Sequence, residues 1–204
     1  MNNILIDRLP EQVKIAQRDY QIRTDFRIFI LFEMLWQDER IEVREKVKRS
    51  LSLCYPEIPF YYSEAADALV WFYSCGKEKN SKQKKGSGSF KQKERIYSFE
   101  HDADYIYAAF MSQYGIDLQD IEYLHWWKFR ALFHSLTREN EFVKIMEYRS
   151  VEITADMPKE QQDFYRKMKK MYALPIPKDE EDKQNELEKI LMSNGDLSGF
   201  LGGD

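Results

Sequence analysis

The chain has 204 residues, 43% of them hydrophobic and 32% charged, with a formal net charge of −4. A chain of this size can bury a sizeable core, so its fold does not need disulfide or metal staples. The longest apolar run, residues 28–32, is far short of the roughly 20 residues a membrane-spanning helix needs. The start, MNNILIDRLPEQ, also lacks a secretory pattern, so the composition points to the cytoplasm.

Charge is segregated along the chain. Residues 77–95 hold eight basic side chains and two acidic ones, whereas Asp179, Glu180, Glu181 and Asp182 stand in a row after Pro177. Net charge therefore says little about partners, and the segments must be read separately. Aromatic residues are abundant, with 13 Phe, 13 Tyr and 4 Trp.

In chain order, Val13-Lys14-Ile15 and Tyr20-Gln21-Ile22 alternate apolar and polar residues around Ala16 to Asp19, which predicts a short β-hairpin. Its turn lacks the favoured Asn-Gly, and an isolated hairpin is marginal in water, so it must lean on the helices that follow. Thr24 can cap a helix whose body, IFILFEMLW, is apolar on nearly every face, and Asp25 suits the positive end of its dipole. Residues 40–53 alternate acidic and basic side chains at the spacing of a solvated helix. Pro56 and Pro59 mark a connection, and a further apolar helix runs from Ser63 to Cys75 with Gly76 as its stop.

Residues 77–95 read as a flexible basic linker, because they offer almost nothing apolar to offset their ordering entropy. The Gly-Ser unit at 86–89 has the composition of a designed linker and is equally consistent with a natural loop. A helix is expected from Glu100 or Asp102 to Gly115, a second from Asp120 through residue 136, a third over residues 141–150. A fourth should open at Pro158, capped by Asp156, and end near Leu174-Pro175. Residues 179–192 have a helical pattern, and the Gly-rich end should fray.

The fold class is therefore mostly α, a helical domain with a small N-terminal β-hairpin and a disordered Lys-rich internal loop. Its parts are residues 1–76, hairpin plus helices; 77–95, basic linker; 96–176, an aromatic-rich helical part packed with the first; and 177–204, an acidic, partly disordered tail.

Motifs for catalysis are sparse. The three histidines are His101, His125 and His134. His101-Asp102, with Asp104, resembles the dyad of metal-dependent phosphohydrolases, but no histidine precedes it to complete a ligand set. His125 and His134 fall on opposite faces of one expected helix. There is no phosphate-binding Gly-rich loop, and Cys54 and Cys75 share no metal-ligand spacing. No cofactor and no metal are expected. The basic residues of 77–95 could neutralise nucleic-acid phosphates in a salt-sensitive, sequence-independent way, yet only Phe90 and Tyr97 lie near to stack on bases. Adjacent Trp126 and Trp127 point about 100° apart on a helix, so both are buried only if that helix is central or meets a partner.

Several segments carry a resemblance to a known family. They are Thr24-Asp25-Phe26-Arg27, Tyr97-Ser98-Phe99-Glu100-His101-Asp102-Ala103-Asp104-Tyr105-Ile106-Tyr107-Ala108-Ala109-Phe110, Tyr114-Gly115-Ile116-Asp117-Leu118, Leu124-His125-Trp126-Trp127-Lys128-Phe129, Ile145-Met146-Glu147-Tyr148-Arg149 and Met171-Tyr172-Ala173-Leu174-Pro175. Together they resemble the tail-assembly chaperones of long-tailed bacteriophages (siphophages) and of prophages of Gram-positive hosts, over residues 5–175. The resemblance implies a non-catalytic protein of the host bacterial cytoplasm, absent from the mature virion. Its implied partners are the tape-measure protein and the major tail (tube) protein, with homo-oligomers expected and no membrane. Typical anchors of protein interfaces then mark Phe29, Phe32, Trp36, Trp126, Trp127, Phe129 and Arg130 for partner binding. Nucleic-acid binding through residues 77–95 is the second reading, and a metal-dependent hydrolase around His101 and Asp102 the third.

Overall fold

The computed structural model describes residues 3–77 and 95–175. The expected disorder of the Lys-rich loop, the Gly-Ser unit, and the tail beyond 176 all lie outside the described residues. Within them the chain is mostly helical, with one two-stranded antiparallel hairpin near the N-terminus.

The hairpin pairs β1 (Gln12–Ile15) with β2 (Arg18–Gln21), Ile15 opposite Arg18. The loop is thus only Ala16 and Gln17, shorter than the sequence suggests, and both residues take positive φ, 46° and 65°. A two-residue loop of this kind matches the right-handed twist of its strands and normally selects Asn-Gly. Here the Ala16 amide donates to the Glu64 carboxylate at 2.8 Å, so a long-range bond holds the turn. Val13 and Ile15 point inward, and Lys14 outward, as strand alternation requires.

Four helices follow from the described N-terminal half and its continuation: α1 (Phe26–Gln37), α2 (Val43–Cys54), α3 (Tyr62–Tyr73) and, after the undescribed stretch, α4 (Ala103–Tyr114). Asp25, not Thr24, caps α1, accepting from the Arg27 amide at 3.0 Å. The Thr24 hydroxyl is instead paired with the Tyr123 hydroxyl at 2.7 Å. Glu33 interrupts the apolar face of α1 without becoming an orphan. Its carboxylate accepts from the Tyr73 hydroxyl at 2.6 Å, from Tyr97 and from Gln37. Burial first, and Glu33 second, push both phenols above their ordinary range and keep them as donors. α4 ends at Gly115, whose φ of 65° is left-handed, as a C-terminal glycine allows.

The remaining helices are α5 (Trp126–His134), α6 (Glu141–Ser150) and α7 (Lys159–Met171). The expectation that α5 opens at Asp120 is corrected: residues 121–125 are not helical. Leu124 and His125 run extended and pair with the entry to α1. The Phe26 amide donates to the Leu124 carbonyl at 2.9 Å, and the Trp126 amide to the Thr24 carbonyl at 2.7 Å. His125 then caps α5, its Nδ1 accepting from the Trp127 amide at 3.1 Å while Nε2 meets the Pro10 carbonyl at 3.1 Å. Pro158 occupies the N-cap position of α7, and the expected cap from Asp156 is not formed.

Residues 3–77 and 95–172 share one core. Its centre is Phe129, fully buried and stacked on Phe26 (4.8 Å between ring centres) and Phe110 (5.0 Å). Trp126 continues the stack toward Phe29 at 5.4 Å and Tyr73 at 5.5 Å. Among the described residues one ion pair is buried. Arg149 holds Asp102 through two bonds of 2.6 and 2.8 Å, and also donates to the carbonyls of Ile96 and Tyr172. The Ser98 amide donates to the same carboxylate at 2.9 Å, so every oxygen of Asp102 is occupied. This cluster ties the chain before α4 to α6 and to the end of α7.

Two outcomes are expected. Asp102→Ala or Arg149→Ala strands its buried partner, and each should lower unfolding free energy by about 3–5 kcal/mol in urea titrations. A loss below about 1 kcal/mol would mean that water reaches the pair. The second concerns His125, whose pKa burial lowers from 6.5, more than the Pro10 bond raises it. Burial and Arg130 lower His134 as well. Below the ordinary histidine value the unfolded chain takes up protons that the folded chain refuses, so stability is full above that value and falls as pH drops through it. The melting temperature should therefore fall between about pH 7.5 and about pH 5.5. His125→Asn, which keeps a capping acceptor, should flatten that fall, and a fall left unchanged would exclude His125 as its source.

Candidate functional site

The seven residues marked for partner binding take unequal places. Phe29 and Phe129 are fully buried, and Phe32, Trp126 and Trp127 nearly so. The two tryptophans serve the end of α3. Trp126 Nε1 donates to the Tyr73 carbonyl at 3.0 Å, and Trp127 Nε1 to the Phe72 carbonyl at 2.8 Å. Arg130 donates to the Tyr73 carbonyl too and lies over the Tyr73 ring, 5.0 Å from its centre. The last carbonyls of a helix have no partner in their own helix, and their negative dipole end favours a cation. The motif is thus a clamp on the end of α3. Gly76 completes it, since a Cβ there would lie 3.0 Å from the Trp127 ring. Of the seven, Trp36 is the most open to solvent at 39% exposure, with its indole donating to Ser50 at 2.9 Å.

The residues considered for chemistry are engaged or apart. His101 is exposed, while Asp102 is saturated by Arg149 and Ser98, which removes it as a metal ligand. Among the described residues no three His, Cys, Asp or Glu side chains are placed to hold a metal. Burial pushes the Cys54 thiol up to about 12 against the opposing pull of Arg23, and burial raises Cys75 as well. Both are free thiols, far from the low-pKa state a nucleophile needs. Lys79, Lys82, Lys84, Lys85, Lys91 and Lys93 of the proposed nucleic-acid segment lie outside the described residues.

What does stand open is a groove beside α2. Arg23 Nη1 donates to the carbonyls of Ser52, Leu53 and Tyr55 at 3.0, 2.8 and 3.0 Å, closing the end of α2. Tyr55 is buried, its hydroxyl donating to the Ala65 carbonyl at 2.8 Å, and Pro59 is buried too. Pro56 and Pro59 restrict φ and disfavour helix in the residues before them, so the connection to α3 stays extended between two anchors. Residues between and after the anchors project outward: Ile58 is 43%, Phe60 88% and Tyr62 62% exposed. Val47, Leu51, Ile58 and Tyr62 give an open groove of about 760 Å³ its apolar surface, with Arg44, Glu45 and Lys48 of α2 also lining it. A second cleft of about 400 Å³ shares Ile58 and lies between the connection and β2. Apolar side chains therefore stand exposed along both openings.

A family model described as the bacteriophage Gp15 protein matches residues 5–174. The chain belongs to that family. No curated protein matches it, and no solved structure does. Membership makes this a bacteriophage protein, and the family suggests structural or assembly work. Among the described residues no helix is long and apolar enough to cross a membrane.

Sequence reasoning passed over the groove because it ranked aromatic residues by density and not by position. The available signal was Pro56-Glu57-Ile58-Pro59-Phe60-Tyr61-Tyr62, a connection rich in apolar and aromatic residues where polar ones are the rule. The two environments are separable by stability. Phe60→Ser should change unfolding free energy by less than about 0.5 kcal/mol, as exposed substitutions do. Phe129→Ala should cost about 3–5 kcal/mol through loss of burial and the cavity it leaves. Comparable losses in urea unfolding would contradict this division between surface and core.

Proposed function

We propose that this chain is a non-catalytic tail-assembly chaperone of a long-tailed phage, one that binds the tape-measure protein and brings tail-tube subunits to it. The observation that carries this reading is the groove beside α2, in a member of a bacteriophage family. A tape-measure protein is long and helical, with apolar stripes that would aggregate if bare. An amphipathic helix laid into an apolar groove covers such a stripe, and the cover is reversible because nothing covalent forms. Ile58 and Tyr62 in the groove, and Phe60 in the adjoining cleft, supply apolar contact without any rearrangement of the core. In this reading the protein acts in the host cytoplasm and leaves before the virion is complete. Mass spectrometry of purified virions should then find no trace of it.

Co-expression with the tape-measure protein of the same phage tests the proposal. A soluble complex holding many copies of this chain per tape measure is expected on size exclusion with light scattering. Ile58→Asp together with Phe60→Ser should return the tape measure to the pellet while leaving the variant folded. If the tape measure stays insoluble with the unaltered chain, and the chain elutes alone, the reading falls. Binding to nucleic acid at low salt through residues 77–95 then becomes the reading to test.

A further inference from the structure

The charged side chains of α2 take unequal places. Lys46 is buried, with Nζ donating to the Trp36 carbonyl at 2.9 Å. Arg49 is paired with Glu45 at 2.7 Å. Arg44 and Lys48 are different: both line the groove, and neither has an ion-pair partner among the described residues. They stand one helical turn apart, which is about 6 Å along the axis. Beside them run the apolar side chains of Val47, Leu51, Ile58 and Tyr62. Glu42, the cap residue of α2, lies at the N-terminal end of the groove, where the helix dipole favours a negative charge. Glu45 is held by Arg49, so among the described residues Arg44 and Lys48 are two lining cations without an ion pair against one such lining carboxylate, Glu42, at the N-terminal end.

We infer that the groove accepts an amphipathic helix from a partner protein, one whose apolar stripe is flanked by carboxylates one turn apart that meet Arg44 and Lys48. The inference rests on the binding role proposed above and adds the chemistry of the helix that the groove selects. An apolar stripe on the guest covers Val47, Leu51, Ile58 and Tyr62. Carboxylates at i and i+4 on the guest face the two cations, whose spacing they match. The charges act mainly as a filter: a guest with lysines on that flank meets Arg44 and Lys48 as like charges and is rejected. The apolar contact supplies affinity, and the cationic edge chooses among the many apolar stripes a phage assembly offers.

Two labelled synthetic peptides test this, each about 20 residues and so about 30 Å long as a helix. Both carry leucines at i, i+3, i+4 and i+7. One has two glutamates a helical turn apart on the flank beside the leucines, the other two lysines there. Fluorescence anisotropy with the full chain should show the glutamate peptide binding at least about tenfold more tightly, with the difference shrinking as salt rises. Arg44→Glu with Lys48→Glu, both on the surface, should reverse the preference, and Ile58→Asp should abolish binding of both peptides. Equal binding of the two peptides, or a preference that survives the charge reversal, overturns the inference. So does self-association of the chain that Ile58→Asp removes, since a second copy would then be the occupant. If tape-measure solubilisation persists in the charge-reversed variant, the inference fails while the chaperone role stands. If solubilisation fails with the unaltered chain but the glutamate peptide binds selectively, the groove chemistry holds and the partner is another phage protein.

Discussion

The structure depends on a backbone pairing that joins chain segments about a hundred residues apart. Thr24 and Phe26 exchange hydrogen bonds with Leu124 and Trp126, so the N-termini of α1 and α5 begin side by side. Each residue of Thr24-Asp25-Phe26-Arg27 has work across that joint. Thr24 holds the Tyr123 hydroxyl, and Asp25 caps α1 while accepting from the Leu124 amide at 3.3 Å. Phe26 stacks on Phe129, and Arg27 donates to the carbonyls of Leu118 and Ile121 at 3.0 and 2.8 Å. The first amides of a helix have no partners within it. Here two helices satisfy part of that need from the residues that lead into each other, which ties their N-termini together. The aromatic stack centred on Phe129 lies directly behind the joint and inherits its geometry.

A second consequence is how polar groups enter an aromatic core. The end of α3 runs into the interior, and its last carbonyls meet two indoles and a guanidinium from α5. Tryptophan suits this task because it brings a large apolar surface and one donor, and needs no second partner. Glu33 is treated alike, with two phenols as donors. Among the described residues no buried side-chain nitrogen or oxygen is left without a partner. The high tyrosine and tryptophan content thus has a structural explanation: many of these rings are donors for carbonyls and carboxylates that the fold has taken out of water.

Much of this architecture was legible in the sequence, and the parts that were not share a cause. Helix positions followed from apolar spacing, the stop of α4 from Gly115, and the hairpin from the alternation around Val13 and Tyr20, all local signals. The start of α5 was misplaced because Leu124 and His125 are extended by a pairing with residues a hundred positions away, which no window of sequence can display. The Ala16-Gln17 turn was hidden for a similar reason, since Glu64 from α3 stabilises a conformation those residues rarely adopt alone. For Trp126 and Trp127 the spacing allowed core or partner. The deciding fact, the nearby end of α3, is tertiary. Asp102 looked like a potential ligand because the sequence does not show Arg149 beside it. The groove is the reverse case. Its apolar connection is plain in the sequence, but exposure is not, and only the burial of Tyr55 and Pro59 on either side shows which residues are pushed out.

The size of the groove bears on the reversibility that the proposed role demands. A site whose apolar surface comes from about four side chains is small beside a standard protein interface, so a single contact should be weak and short-lived. Weakness is no defect in a coat. When many copies lie along one long partner, release of any single copy leaves the rest in place, and coverage is set by the number of copies and the affinity of one contact. The same arithmetic governs removal. A tube subunit that competes for one stretch of the partner needs to displace only one weak contact at a time, so the coat can be exchanged from one end without an energy source. A deep, enclosed pocket with the aromatic residues of the core would bind a single helix more tightly and would resist that exchange. Keeping the rings around Phe129 inside and leaving a shallow groove outside suits the reversible contact that the proposed role requires.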